Sequence, residues 1–159
     1  MGVSIEELAI QRPAVAAEVT RIALSAYALE ARLIGREDFP PLRRTVTDYA
    51  HASTRFFGSL LDGELASVIE VDASGADAIE ICSLVTCPEQ LRKGMARELL
   101  RHVTALFGNR GLTVSTAAAN TPALCLYASF GFRETSRWTS PDGFELVALE
   151  CTPASGATV

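Results

Sequence analysis

Ile79-Glu80-Ile81-Cys82-Ser83-Leu84-Val85-Thr86-Cys87-Pro88-Glu89-Gln90-Leu91-Arg92-Lys93-Gly94-Met95-Ala96-Arg97-Glu98-Leu99-Leu100 is the stretch around which the chain is organised. Ile79 to Thr86 is dense in β-branched and apolar residues, the composition of a strand. Pro88 has no N–H to donate and stops the ladder. The short basic turn Leu91-Arg92-Lys93-Gly94 follows. From Met95 the apolar residues Leu99, Leu100, Val103, Leu106 and Phe107 recur at helical spacing, which predicts a helix to about Phe107 that ends at Gly108. A strand that enters a glycine-bearing turn and opens a helix can hold an anion. The first helical N–H groups have no acceptor within the helix, and the helix dipole puts partial positive charge there. Gly94 and the small Ala96 let the backbone close on a phosphate, with Arg92 and Lys93 at the mouth. The same pattern also suits an ordinary strand-to-helix turn.

A second stretch narrows the choice: Asn120-Thr121-Pro122-Ala123-Leu124-Cys125-Leu126-Tyr127-Ala128-Ser129-Phe130-Gly131-Phe132. Together the two stretches resemble the GCN5-related N-acetyltransferases, the GNAT superfamily. That family's Gln/Arg-x-x-Gly-x-Gly/Ala loop falls on Leu91 to Ala96. Its pattern of Asn, then Ala, Tyr and Gly-Phe, is met by Asn120, Ala123, Tyr127, Gly131 and Phe132. The resemblance covers roughly residues 55–135. It implies an α/β (α+β) fold whose central mixed, mostly antiparallel sheet is splayed between strands at about 79–86 and 112–116 and flanked by helices.

Composition fits one domain over residues 1–159. The chain has 159 residues, 48% of them apolar, enough for a sizeable core. No linker-like segment or internal repeat divides it. The net charge of −5 argues against a nucleic-acid partner. Cys82, Cys87, Cys125 and Cys151 have no Cys-x-x-Cys spacing and no His neighbour, so neither a metal nor a redox motif is expected, and three of them read as small core hydrophobes. Glu6 and Glu7 stand where a signal peptide would be basic, and Glu18, Arg21, Glu30 and Arg32 break the apolar run from Ala14 to Ile34. No membrane span is therefore expected, and a reducing, cytoplasmic location is the expectation.

In chain order, Ser4 and Glu7 make a capping box, which predicts a short helix at about 4–10, whereas the resemblance implies a strand there. Pro13 opens a helix from about 13 to 34, with Val15, Val19, Ile22, Ala23, Ala26 and Leu29 on one face and Gly35 at its end. Residues 36–44 are a proline-broken loop, and Thr45 or Thr47 caps a short helix through Tyr49 and His51. Arg55–Leu61 and Glu64–Val71 form a hairpin about Asp62-Gly63. After a strand at Leu112–Thr116 and a helix at 121–130, two strands at roughly 132–139 and 144–151 close the chain.

The resemblance implies transfer of an acetyl group from acetyl-CoA to a primary amine of a small molecule or peptide by direct attack on the thioester. Backbone N–H groups from Arg92 through Lys93, Gly94 and Met95 to Ala96 would cradle the pyrophosphate, and the strand edge Leu84, Val85 and Thr86 would pair with the pantetheine arm. Strand N–H groups there can polarise the thioester carbonyl. Asn120 would hydrogen-bond the donor or hold the splay, and it suits a helix N-cap equally. An amine of pKa ~10.4 is neutral in only about one part in a few thousand at pH 7, a cost of roughly 4–5 kcal/mol, so a carboxylate base helps. Glu80 is the first candidate. It lies fourteen residues before Gly94, as does the glutamate of the histone-acetylating branch, and alternates with Cys82 and Leu84. Glu70 is the second.

Tyr127 is the expected acid for the leaving thiolate; it also suits packing against Phe132. Phe39, Leu42, Tyr49 and His51 fall where the family's acceptor pocket is lined. One departure stands out: Leu91 occupies the family's Gln/Arg position, which removes a side-chain contact to pyrophosphate but leaves the amides intact. Leu91 also favours the alternative of a non-catalytic acyl-CoA-binding or partner-binding protein. A homodimer is common in the family.

Overall fold

The computed structural model describes residues 2–152. Its frame is one sheet of seven strands: β1 (Val3–Glu7), β2 (Arg55–Leu61), β3 (Glu64–Asp72), β4 (Ile79–Thr86), β5 (Leu112–Ala117), β6 (Arg133–Thr139) and β7 (Glu145–Cys151), in the order β1-β2-β3-β4-β5-β7-β6. Only β4 and β5 run parallel; every other neighbouring pair is antiparallel. The helices are α1 (Pro13–Leu33), α2 (Val46–Ala50), α3 (Met95–Phe107) and α4 (Thr121–Ser129), with a 3-10 turn at Pro40–Arg43 where the two prolines forbid an α-helix.

The strand alternation builds two cores. Ile69 and Val71 of β3, with Ile79 and Ile81 of β4, meet Leu99, Leu100 and Val103 of α3. Val68 and Val85 point the other way, against Val19, Ile22 and Ala23 of α1. Leu99 and Leu100 are fully buried, each worth about 1.5–3 kcal/mol relative to exposure. Buried polar groups between β2 and β3 are paired: Ser59 and Ser67 share a hydroxyl–hydroxyl bond of 2.5 Å.

Residues 3–7 are a strand, which corrects the expected helix at 4–10. The segment pairs antiparallel along β2 from Val3↔Leu61 to Glu7↔Phe57. Glu7 does not close a capping box; its carboxylate accepts two 2.9 Å bonds from Arg55. A helix so short gains few internal hydrogen bonds, whereas the open edge of β2 satisfies backbone groups along the whole segment. At the other edge β6 is exposed along its length, and Arg137 bridges Glu134 and Glu145 across it.

The cysteines also depart from expectation. Cys87 is buried, but Cys82 and Cys125 are exposed and Cys151 is intermediate, so two of the three expected core thiols are not in the core. Partial desolvation of the Cys82 thiol, with the Glu70 and Glu80 carboxylates nearby, nevertheless pushes it up to about 12.

Candidate active site

The parallel strands part company halfway. β4 pairs with β5 only from Ile79↔Leu112 to Ile81↔Val114, while β5 continues beside β7 to Ala117↔Leu146. The cause lies in β4. Against β3, Glu70 pairs with Ser83 and Val71 with Ile81, so Cys82 is an extra residue. Such a bulge bends its strand and shifts the alternation by one. Ile79 and Ile81 face α3, Leu84 packs against that same core, and Val85 faces α1. Among the described residues the β5-facing edge of Ser83–Thr86, beyond the bulge, has no strand partner.

The gap opens into a cavity of about 280 Å³. Its walls are Cys82, Ser83 and Leu84 of β4, Val114, Ser115 and Thr116 of β5, and Asn120, Ala123 and Tyr127 from the start and middle of α4. Tyr27 and Glu30 of α1 close it from the opposite side of the sheet, with Phe39, Pro40 and Pro41, and with Ser140, Asp142 and Phe144 from the β6–β7 turn. Other depressions lie along Glu7–Gln11 and beside Glu18 and Arg21, away from the strand gap.

Asn120 and Tyr127 are brought together here. Asn120 caps α4, its side-chain oxygen accepting the Ala123 N–H at 3.3 Å, and it also lines the cavity. The Tyr127 ring is 4% exposed and sits 5.3 Å from that of Phe132. Among the described residues its hydroxyl takes no hydrogen-bond partner. Burial first, then the charge of Glu30, raises its pKa above that of a free phenol, so it stays protonated.

The two expected bases are placed differently. Glu80 pairs with Thr113 on the closed part of the β4–β5 seam, exposed and outside the cavity walls. The bulge breaks its expected alternation with Leu84. Glu70 is buried but engaged: it accepts 2.6 and 3.0 Å bonds from Arg44, 2.6 Å from the Thr54 hydroxyl and 3.4 Å from Ser83. Glu30, which sequence reasoning passed over, faces the cavity instead. Burial raises its carboxyl above the usual range, with the nearby Asn120 side chain pulling the other way. A signal was present: Glu30 continues the Val19–Ala23–Ala26 stripe of α1 at helical spacing, a carboxylate where a hydrophobe would pack.

Of the expected acceptor contacts, Phe39 lines the cavity. Leu42 packs behind it, Tyr49 is buried under the Arg44 guanidinium at 4.0 Å, and His51 is exposed with its Nδ1 2.9 Å from the Thr47 carbonyl. The 91–96 loop follows β4 in the chain and leads into α3. Arg92 and Gly94 have positive φ of 65° and 79°, and the Glu98 N–H to Gly94 carbonyl bond of 3.0 Å opens α3. The N–H groups of Met95, Ala96 and Arg97 therefore precede the helical ladder, and among the described residues those of Arg92, Lys93 and Gly94 take no backbone acceptor. Leu91 is 43% exposed, Met95 is buried against Leu61 and Ala66, and Lys93 reaches Gln90 at 2.9 Å. A cluster of open amides beside an unpaired strand edge suits a ligand with an anionic end and an amide-bearing arm.

A methyl group at Gly94 would meet nothing within 4 Å, so Gly94→Ala adds only backbone strain. It should cost about 1–2 kcal/mol of stability, read by urea unfolding, and weaken a phosphate-bearing ligand by tilting the loop amides. Unchanged stability would mean that the loop relaxes out of the left-handed conformation.

A sheet that opens between two parallel strands can receive an extended amide chain as though it were another strand. The family model described as acetyltransferase (GNAT) domain matches residues 41–153, and the chain belongs to that family. It is 31% identical over 150 residues to UPF0157 protein YqkA of Bacillus subtilis (strain 168), a match covering 94% of this chain and 43% of that protein. The chain thus spans less than half the length of that curated relative. Among solved structures, it superposes on the ribosomal-protein-S18-alanine N-acetyltransferase of Escherichia coli with a TM-score of 0.75 at 19% identity, covering 99% of each chain. The PaiA N-acetyltransferase of Thermoplasma acidophilum, solved in complex with coenzyme A, gives 0.74 at 17% identity over 92% of this chain and 98% of that one. These likenesses establish the fold. Among the described residues no helix is long and apolar enough to cross a membrane.

Proposed function

We propose that residues 1–159 form one acetyltransferase domain that moves the acetyl group of acetyl-CoA to a primary amine of a small molecule or peptide by direct attack on the thioester. The observation that carries this reading is the gap between β4 and β5 with Tyr127 and Asn120 in its wall. Acetyl-CoA supplies an acyl carbon activated by a good leaving group. The chain's part is to bind, orient and move protons. The N–H groups from Arg92 to Ala96 are placed to take the pyrophosphate, and the free edge at Leu84, Val85 and Thr86 to pair with the pantetheine amides. Leu91 adds only its backbone to the loop. A strand N–H in the gap offers a donor for the thioester oxygen. Asn120 supports that wall, and Tyr127, kept protonated by burial, is the proton donor to the departing sulfur.

A thermal-unfolding midpoint with and without acetyl-CoA, beside free CoA and ATP, tests the first half. At a hundred times its dissociation constant a ligand stabilises the fold by about 2.7 kcal/mol, a rise of about 5–10 °C in a domain of this size. Both CoA species should shift the midpoint and ATP should not. No shift with either would overturn the reading, and thiol release on an amine panel tests the second half.

A further inference from the structure

The walls of the cavity divide by chemistry. The side from β4, β5 and α4 mixes hydroxyl, thiol and amide side chains with Leu84, Val114 and Tyr127 and carries no carboxylate. The other side is aromatic and acidic. Tyr27, Phe39 and Phe144 form a continuous run of edge and tilted contacts, with ring centroids 5.9 and 5.7 Å apart. Glu30 and Asp142 are the carboxylates of the cavity wall, and no Lys, Arg or His among the described residues lines it. Arg36 lies behind this wall, 4.1 Å over the Phe144 ring and bonded at 2.7 Å to the Asp142 carbonyl.

We propose that Glu30 is the catalytic carboxylate on the acceptor side, and that the acceptor is a primary amine whose neighbouring body is apolar and carries no anionic group. This rests on the acetyl-transfer reading above and adds to it the base and the substrate class. The Glu30 carboxylate takes one proton from the acceptor ammonium, leaving R–NH2. The nitrogen lone pair forms the C–N bond to the acetyl carbon as the C–S bond breaks, and its electron pair leaves on sulfur. Tyr127 gives its proton to that sulfur and regains one from the acylated nitrogen, while Glu30 releases its proton to water. One ammonium and one thioester become one amide, one thiol and one proton.

Position and charge both support this. Glu30 shares the cavity with Tyr127, and its charge acts on the hydroxyls of both Tyr27 and Tyr127. Glu80 and Glu70 lie outside that space. An acceptor bearing a carboxylate beside its amine would face Glu30 and Asp142 with no lining cation to offset them, a repulsion strengthened by partial desolvation. An aryl or alkyl body instead buries apolar surface on Phe39 and Phe144. The titratable groups that face Glu30 are Tyr27 on its own helix, Tyr127 from α4, Cys82 from β4 and Asp142 from the β6–β7 turn. Since burial raises the Glu30 carboxyl, the acid limb of kcat/KM should lie above the ordinary carboxylate range and disappear with the base.

The experiment compares the parent protein with Glu30→Gln, using phenethylamine and L-phenylalanine as matched acceptors that differ by one carboxylate. The parent should acetylate phenethylamine at least about 10-fold more efficiently than phenylalanine. Glu30→Gln should lose about 100-fold or more in kcat/KM for phenethylamine and lose the acid limb. It should keep the parent's acetyl-CoA thermal shift, and its own midpoint should not fall, because a neutral amide replaces a carboxylate whose ionised form burial disfavours. A Glu30→Gln rate within twofold of the parent overturns the proposal. So does a preference for phenylalanine, or product with other amines but none with phenethylamine. No product with any amine of a broad panel overturns the acetyl-transfer reading itself.

Discussion

Tyr127→Phe should fold, bind acetyl-CoA with the parent's thermal shift, and turn over about 10²–10⁴-fold more slowly, the range for removal of a positioned proton donor. The substitution is close to a pure test of the hydroxyl. The ring stays 5.3 Å from Phe132 within the α3-side core, and the hydroxyl takes no hydrogen-bond partner among the described residues, so little packing or bonding is lost. Burial and the nearby Glu30 charge keep the phenol protonated through the neutral and mildly alkaline range. Loss of rate at high pH in the parent should therefore come from another group. Full turnover by the phenylalanine variant would remove Tyr127 from the reaction and leave it a packing residue.

The second large effect falls on stability. Arg44→Ala should lower the unfolding free energy by about 3 kcal/mol, the low end of the range for breaking a buried ion pair, because the arginine side chain retains 30% exposure. The Glu70 side chain is only 4% exposed and would keep just Thr54 and Ser83 as donors. The guanidinium also covers the Tyr49 ring at 4.0 Å, so its loss opens an aromatic face. In a domain of this size the midpoint should drop by about 6–12 °C. Replacing both partners with methionine should recover most of that loss, since no buried charge is then left unpaired. A loss under about 1 kcal/mol for Arg44→Ala would show that water reaches Glu70 and that the network is effectively a surface pair. The network matters to the site through Ser83, which stands beside the extra residue of the β4 bulge.

Much of this architecture was legible in the sequence because the signals are local. Pro13 and the apolar stripe of α1 marked a helix at 13–34, observed at Pro13–Leu33. Asp62-Gly63 marked the β2–β3 hairpin, and Asn120 followed by Pro122 marked the start of α4. The opening of the sheet between β4 and β5 came from the two family-like blocks rather than from periodicity, and the pairing confirms it. Residues 3–7 were misread because a capping box is a local pattern with two outcomes. The open edge of β2, almost fifty residues along the chain, decided for a strand.

The carboxylates show the same division. Glu80 was favoured by its fourteen-residue separation from Gly94, the family's spacing, and by an alternation with Cys82 and Leu84 that assumed an unbroken strand. The extra residue at Cys82 cannot be seen without the β3 partner against which it is extra. Glu70 was reasonable on its strand until Arg44, from a loop before α2, arrived to occupy it. Glu30 is distant in sequence from both motif blocks, so the family-like spacings do not reach it, and its place in the α1 stripe marks it as unusual without saying what it faces. By itself the sequence determined the elements other than β1, their order and the family-like loop and tyrosine, since those depend on residues within a few positions of one another. Which carboxylate stands in the gap, and which are outside it or neutralised, was decided only by the tertiary structure, because a charge's environment is set by whatever the fold packs against it.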